Sequence, residues 1–593
     1  MFFSFCSIAQ ATNVSGVIST NTTWDTARSP YIVTGNNLLV DTQTTLTIQP
    51  GVMVKLDSAQ CIMVKGTLNA VGSATDSIII TKNGAQEWSR LWFKSSSVCS
   101  LKFCRIEYAN STAIYGDTVG SITIEHCTIA DNVGNDQPAT TGGGIMVNGG
   151  AIDISGTTIT GNVSHIGYAA AIAIFANTLA AVTGNVITNN WADGYGGAIL
   201  CGSDSVTIVD NIISNNSGGL GGGITILSGF VSITNNTITN NRADGPYTWS
   251  QGGGIYNNAD IAINGNTITN NWARHNGGAI YNNGTATLRH NTMTYNMADS
   301  FGGTIYNSKF LSLNYNSIID TSTFKLDTGF STAIYNDIGT IFMRTNDIRA
   351  VRHLMYNNTP NNIDARYNFW NTANIDTINA RVFDYFDDFS KGIITFVPFL
   401  KAPFSDTTAP PAPLHLIATH TKDSSFVITW ANPSDASGIA EYYYKLISPP
   451  TYPFDTTGTF HTSPDTLLSQ GGLLYVWLVD SSGNMNYQNT DSVLLNISAI
   501  RTKGKAFGNP TFSLTTRPSS SGAIINYGIP EETLVNLTLY DISGRLVKRI
   551  YSGIRESGYY TVDLGKNEIT SGGYFIRIKT ANCTATTKLV LLR

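Results

Sequence analysis

Residues 252–273 read GGGIYNNADIAINGNTITNNWA, and residues 277–298 read GGAIYNNGTATLRHNTMTYNMA. The two stretches match in order: a glycine pair, an isoleucine, asparagines, then alternating apolar and polar residues. The repeat extends well beyond them. The isoleucine of the glycine motif stands at 145, 172, 199, 224, 255, 280, 305 and 334, with gaps of 27, 27, 25, 31, 25, 25 and 29. The apolar residue of TITNN and its variants stands at 129, 159, 187, 213, 238, 268 and 293, with gaps of 30, 28, 26, 25, 30 and 25. The longest gap in the first series spans GPYTWSQ, which reads as a loop. A fixed period of this length marks a stacked repeat architecture.

Within each unit the apolar period is two, as in Ile261-Ala262-Ile263 and Thr267-Ile268-Thr269. That is the period of strands, and Gly and Asn at this density oppose helix. A chain that coils once per repeat lays each strand on its own copy one turn back, about 4.8 Å away. Inward Ile, Val and Ala then fill a bore, and equivalent residues form columns. One asparagine column runs Asn132, Asn162, Asn190, Asn216, Asn241, Asn271, Asn296. Another runs Asn185, Asn211, Asn236, Asn266, Asn291, Asn316. Asparagine tolerates the left-handed corner, and stacked amides can bond along a column.

This pattern resembles the right-handed parallel β-helix proteins of the pectate-lyase-like group, over roughly residues 12–404. VSGVISTNTTW resembles their opening coils, and ARYNFWNTANIDTINARVFDYFDDFSKGIITFVPFL resembles their closing turn. The GGAI repeats are also similar to chlamydial polymorphic outer-membrane proteins. Those carry an FxxN partner motif, where this chain reads ITNN, and end in a membrane barrel, which the C-terminal residues do not resemble.

Residues 405–413 read as a proline-rich linker. Then FVITW, AEYYYKL and LLYVWLVD alternate as strands of a β-sandwich at 414–498, which resembles a fibronectin type III module. In residues 503–593 the ordered motifs LYDISGRLV and SGGYFIRIK, with a basic end, resemble the C-terminal sorting domain of type IX secretion substrates. The expected fold is thus all-β: a right-handed parallel β-helix followed by two small β-sandwich domains. The sorting resemblance implies export to the surface of a Gram-negative bacterium, with the type IX machinery as partner.

The bulk properties agree with that setting. Charged residues make up 13%, about half the usual ~25%. The net charge of −5 gives no reason to propose a nucleic-acid partner. No apolar run is long enough for a membrane-spanning helix. The first 11 residues, MFFSFCSIAQA, read as the tail of a signal peptide. The cysteine spacing fits no zinc pattern; Cys99 and Cys104 could pair, but buried thiols between stacked strands are expected.

Candidate sites follow from the columns. After the repeat isoleucine the residue becomes Tyr256, Tyr281, Tyr306, Tyr335 and Tyr356. Strand alternation points these outward, as a strip about 19 Å long. Flat aromatic strips suit sugar rings, and Asn257, Asn282, Asn307 and Asn336 flank them. Packing of each tyrosine on its own column, or beneath a loop, is the alternative. Asp244, Arg274 and Asp299 share one column, either as a cation between catalytic carboxylates or as a surface charge column. Asp384, Asp387 and Asp388 could hold calcium, the one cofactor considered, or simply cap the helix. No lyase or polygalacturonase motif is present. The leading expectation is glycan or surface binding, as an adhesin or scaffold. A polysaccharide lyase or glycoside hydrolase comes second, and a structural surface-layer spacer third.

Overall fold

The structure is a computed structural model. It describes residues 11–134, 142–165, 167–245, 250–320, 332–404, 408–422, 425–435, 438–451, 455–461, 463–468, 471–480, 484–495, 512–519, 522–565 and 572–591. The expected signal segment lies outside these, except for its last residue. The chain divides into two compact units, residues 1–408 with 481–484, and the remainder.

The first unit is a parallel β-helix. One coil comprises Ile255–Asn257, Asp260–Asn264, Thr267–Thr269 and Trp272–Ala273. Each of these pairs in parallel with its equivalent on the next coil: Ile280–Asn282, Thr285–Arg289, Thr292–Thr294 and Met297–Ala298. The period-two pattern sends Ile255, Ile261, Ile263, Ile268 and Ala273 into the bore, where they are buried. Ladders of this kind run from Thr12–Ile18 to Val382–Phe383.

The two expected asparagine columns are hydrogen-bonded ladders. The Asn216 amide donates to Asn241 Oδ1 at 3.0 Å, Asn241 to Asn271 at 3.0 Å, and Asn271 to Asn296 at 3.0 Å. Each Oδ1 also accepts a main-chain N–H, as Asn271 does from Asn241 at 2.9 Å. Each Nδ2 also reaches a carbonyl, as Asn241 reaches Ile213 at 2.9 Å. The second ladder continues past Asn316 to Asn346 and Asn368.

The left-handed corner belongs to a different residue from the one expected. It is the residue before each ladder asparagine: Asn189, Asn215, Asn240 and Asn270 all have φ between 54° and 57°. The two asparagines of ITNN therefore do different jobs. The first is exposed and turns the chain; the second is buried and satisfies the turn's polar groups.

A third ladder is unexpected. Asn257, Asn282, Asn307, Asn336 and Asn357 are fully buried and bond amide to amide at 2.8 to 3.2 Å. They cannot offer hydrogen bonds to a sugar, as the sequence had suggested. The glycine pair is explained by close backbone approach. Gly277 has φ 69°, and a Cβ there would lie 2.4 Å from the Ile280 carbonyl oxygen. A Cβ on Gly278 would lie 2.2 Å from the Gly303 carbonyl. Neither position admits a side chain.

The second unit holds two sandwiches. In the first, Leu414–Lys422, Ser425–Ala431 and Asp465–Leu468 form one sheet; Gly458–Phe460, Ile439–Leu446, Gly472–Asp480 and Asp491–Leu495 form the other. Phe426, Trp430, Phe460 and Val476 fill its core. The second pairs a sheet of Ser513–Ser519, Gly522–Ile529 and Gly558–Gly565 with one of Leu546–Arg555, Thr533–Asp541, Gly572–Lys579 and Thr584–Leu591. Ile525, Leu537 and Ile576 lie at its centre. The cysteines of the β-helix are buried free thiols, and Cys104 N–H donates to Cys127 Sγ, not to Cys99.

The division of labour at the corner is testable. Asn241→Ala removes a buried amide and leaves its neighbours' N–H and carbonyl groups unpaired, a cost of about 1–3 kcal/mol. Asn240→Gly keeps the left-handed corner and should change stability by only a few tenths of a kcal/mol. Urea unfolding followed by circular dichroism reads both; a larger loss at Asn240 would contradict the assignment.

Candidate functional site

The tyrosine column exists, but its geometry differs from a platform. Tyr256 and Tyr281 stack with centroids 5.3 Å apart at 2°. Tyr281 and Tyr306 follow at 4.9 Å, Tyr306 and Tyr335 at 5.4 Å, and Tyr335 and Tyr356 at 4.9 Å. Phe383 closes the stack at 4.2 Å from Tyr356. Ring faces cover one another along the helix axis. They do not lie open to solvent.

The column is also roofed. Tyr306, Tyr335 and Tyr356 are buried, as are Met146, Ala173, Leu200 and Thr225 at the equivalent position of earlier coils. The residues before the repeat isoleucine fold back over this ladder. Phe301 stacks on Tyr335 at 4.7 Å, and Tyr168 and Tyr195 pack beside Ala173 and Leu200. Strand alternation correctly points these side chains away from the bore. It does not see the turn above them.

The phenols are held neutral. Burial pushes the Tyr306 and Tyr335 hydroxyls well above the ordinary phenol range, and the nearby Asp337 carboxylate pushes the same way. Tyr281, also raised by burial, is hydrogen-bonded to Ser308 and Gln251. Tyr256 and Tyr281 are only partly buried, so the column opens toward its N-terminal end.

Asp244, Arg274 and Asp299 occupy successive coils as expected, since Ala243, Ala273 and Ala298 pair in register just before them. Their side chains do not form one site. Asp244 is held by Arg242 Nε at 3.0 Å and Ser217 Oγ at 2.6 Å. Asp299 accepts from the Trp272 indole at 2.9 Å, and Arg242 lies over that indole at 4.3 Å. Among the described residues no ion pair joins Arg274 to either carboxylate, so a cation flanked by two acids is not assembled.

Asp384, Asp387 and Asp388 build a turn. Asp384 accepts the main-chain N–H of Phe386 at 3.0 Å and of Ile394 at 2.8 Å. Asp387 accepts from Asp384 N–H at 3.0 Å, and Asp388 from Ser390 N–H at 2.9 Å. The Ser390 bonds hold the Asp388 carboxyl below its usual range. Among the described residues no three acidic, histidine or cysteine side chains converge as a metal site would require. The acids shape the backbone here; they do not form a cage.

What this turn presents went unnoticed in the sequence. Tyr385, Phe386 and Phe389 project from it, with Phe386 75% and Phe389 79% exposed. Tyr385 meets Phe386 at 5.7 Å and Phe389 at 5.2 Å, both edge on. The signal was the alternation of aromatic and acid in DYFDDF, which a search for metal ligands read only for its acids.

A shallow depression of about 330 Å³ lies elsewhere, over Ser121, Thr123, Ala151, Asp153, Leu179 and Thr207. Asp153 is its single ionisable group. Acid–base cleavage of a glycan requires a second carboxylate or a basic partner.

Comparison with known proteins agrees with the fold and the tail. Residues 89–260 match the model of the right handed beta helix region. Residues 517–592 match the secretion system C-terminal sorting domain. No curated protein matches the chain. Among solved structures, the central fibronectin-III array of RIM-binding protein is similar at 14% identity. The match covers 31% of this chain and 62% of that one, with a TM-score of 0.12, too slight a likeness to carry an argument. No helix among the described residues is long and apolar enough to cross a membrane. The chain is a right-handed parallel β-helix protein that carries a type IX secretion C-terminal sorting domain, and it is exported to the surface or the outside of a Gram-negative cell.

Proposed function

We propose that this exported protein binds glycan or another cell-surface polymer, with the β-helix as rigid scaffold and the closing turn as its contact. The observation that carries the reading is the exposed cluster of Tyr385, Phe386 and Phe389. Large exposed aromatic side chains are uncommon on a surface unless they meet a partner. Here they stand on a turn stiffened by the carboxylate of Asp384, so little order is lost on contact. Sugar rings stack their C–H faces on such side chains, and Asp387 and Asp388 lie beside them to accept hydroxyl protons. The half-open Tyr256 and Tyr281 are a second, smaller contact at the other end of the column. The buried tyrosines between serve the scaffold.

Phe386→Ala with Phe389→Ala should weaken retention on an immobilised polysaccharide by about tenfold or more while leaving the melting temperature unchanged. Tyr306→Ala should do the reverse, since its ring is packed on both faces. Equal retention by the double phenylalanine variant would sink the proposal.

The tail generates a separate expectation. A chain lacking residues 503–593 should accumulate in the periplasm, as cell fractionation would show. Surface display of the truncated chain would contradict the role of the tail.

A further inference from the structure

One face of the β-helix is used by none of the contacts above. It is built from Thr158–Thr160, Val186–Thr188, Ile212–Ser214, Thr237–Thr239, Thr267–Thr269, Thr292–Thr294 and Ser317–Asp320. These strands pair in parallel without one register shift. Two outward columns result. One carries hydroxyls on six successive coils, from Thr160 to Thr294. The other has Thr237, Thr267, Thr292 and Ser317 in succession. Within this face, Thr237–Thr239, Thr267–Thr269 and Thr292–Thr294 form a block of three coils with threonine at both positions.

The block is a lattice. Its hydroxyl-bearing residues recur about 4.8 Å apart along the helix axis and about 6.6 Å apart along each strand. Threonine is stiff at χ1 in a strand, so each residue holds one methyl and one hydroxyl in nearly fixed places. Thr269 and Thr294 share a hydrogen bond of 3.0 Å, and Ser214 donates to Thr188 at 3.1 Å; rotation about a single bond frees either pair. The buried asparagine ladders at both edges keep the strands from shifting.

Strand propensity does not account for this uniformity. The neighbouring ladder on the same coils meets the same β demand, yet its outward positions include Asp153, Asp260 and Arg289. From Thr158 to Ile319 the threonine face carries no outward charge, no aromatic and no amide; only Thr, Ser, Val and Ile occur. It has no concavity for a small ligand and no aromatic or carboxylate for a sugar. It offers an uncharged, rigid, two-dimensional array of hydroxyls set among methyls. Methyl groups restrict the orientation of the water above them, and hydroxyls anchor it. An uncharged solid with oxygens repeating on this scale in two directions is ice.

We propose that the threonine face of the β-helix binds ice. The full-length protein should slow ice recrystallisation and open a gap between melting and freezing temperatures. Thr239→Lys with Thr269→Lys should reduce both effects by about tenfold or more at equal concentration. Both substitutions are on open strand surface and leave the bore intact, which circular dichroism and melting would verify. Thr207→Lys, exposed on the neighbouring face, should leave the effect unchanged. No effect of the natural chain on ice growth overturns the proposal. So does equal activity of the double variant. Retention on crystalline cellulose or chitin that the same two substitutions abolish, without any effect on ice, also overturns it and assigns the face to a polysaccharide.

Discussion

The structure depends on how a coil turns its corners without stranding polar backbone. Every coil of the β-helix reverses direction several times, and each reversal leaves N–H and carbonyl groups near the bore, away from water. An unpaired group there costs about 1–3 kcal/mol. The asparagine ladders solve this repeatedly with one side chain. Its oxygen accepts a backbone and a side-chain proton from the preceding coil, and its nitrogen donates to the next coil's amide and to a carbonyl of the bore. Each amide is satisfied only if both neighbours are present. The ladder therefore fixes register between coils and ties every rung to the stack.

Stacking also explains the low charge. A side chain in a β-helix faces its own equivalent about 4.8 Å away, so a charged column repels itself. At that distance two like charges cost about 3 kcal/mol at an effective dielectric of about 20, and about 1 kcal/mol in bulk water. Some of the charges that do occur find an opposite partner nearby. Lys102 meets Glu125 on the next coil at 2.6 Å, and Arg242 meets Asp244, two residues further along the chain, at 3.0 Å. Polarity without charge, from Asn, Thr and Ser, is what an exposed stack can use at every level.

Much of this was legible in the sequence, and the failures have distinct physical causes. The repeat, the strands, the bore residues and two of the ladders follow from period and column alone. The third ladder was missed although the rule that turned Tyr256 outward also turns Asn257 inward; a search for sugar contacts overrode it. Other errors concern what lies above a strand, which periodicity cannot report. Met146, Ala173, Leu200 and Thr225 are buried on the outer side of their strands, and Tyr306, Tyr335 and Tyr356 are buried at the same position of later coils. Likewise the sequence places Asp244, Arg274 and Asp299 in one column, but not which neighbour each carboxylate chooses. Which asparagine of a pair takes the left-handed corner is a matter of φ, invisible in a string of Asn-Asn.

The same architecture bears on export. A strand of the β-helix finds its partner some 19 to 31 residues away along the chain, so each coil can form as soon as its neighbour exists. Folding can begin at any coil and propagate, with little loop-closure cost for a later one. The sorting domain is different: its strand Gly522–Ile529 pairs with Gly558–Gly565, and Thr533–Asp541 with Gly572–Lys579, so its sheets interleave. No part of that sandwich is complete until nearly all of it is present. A β-helix built from nearest-neighbour contacts can instead form coil by coil.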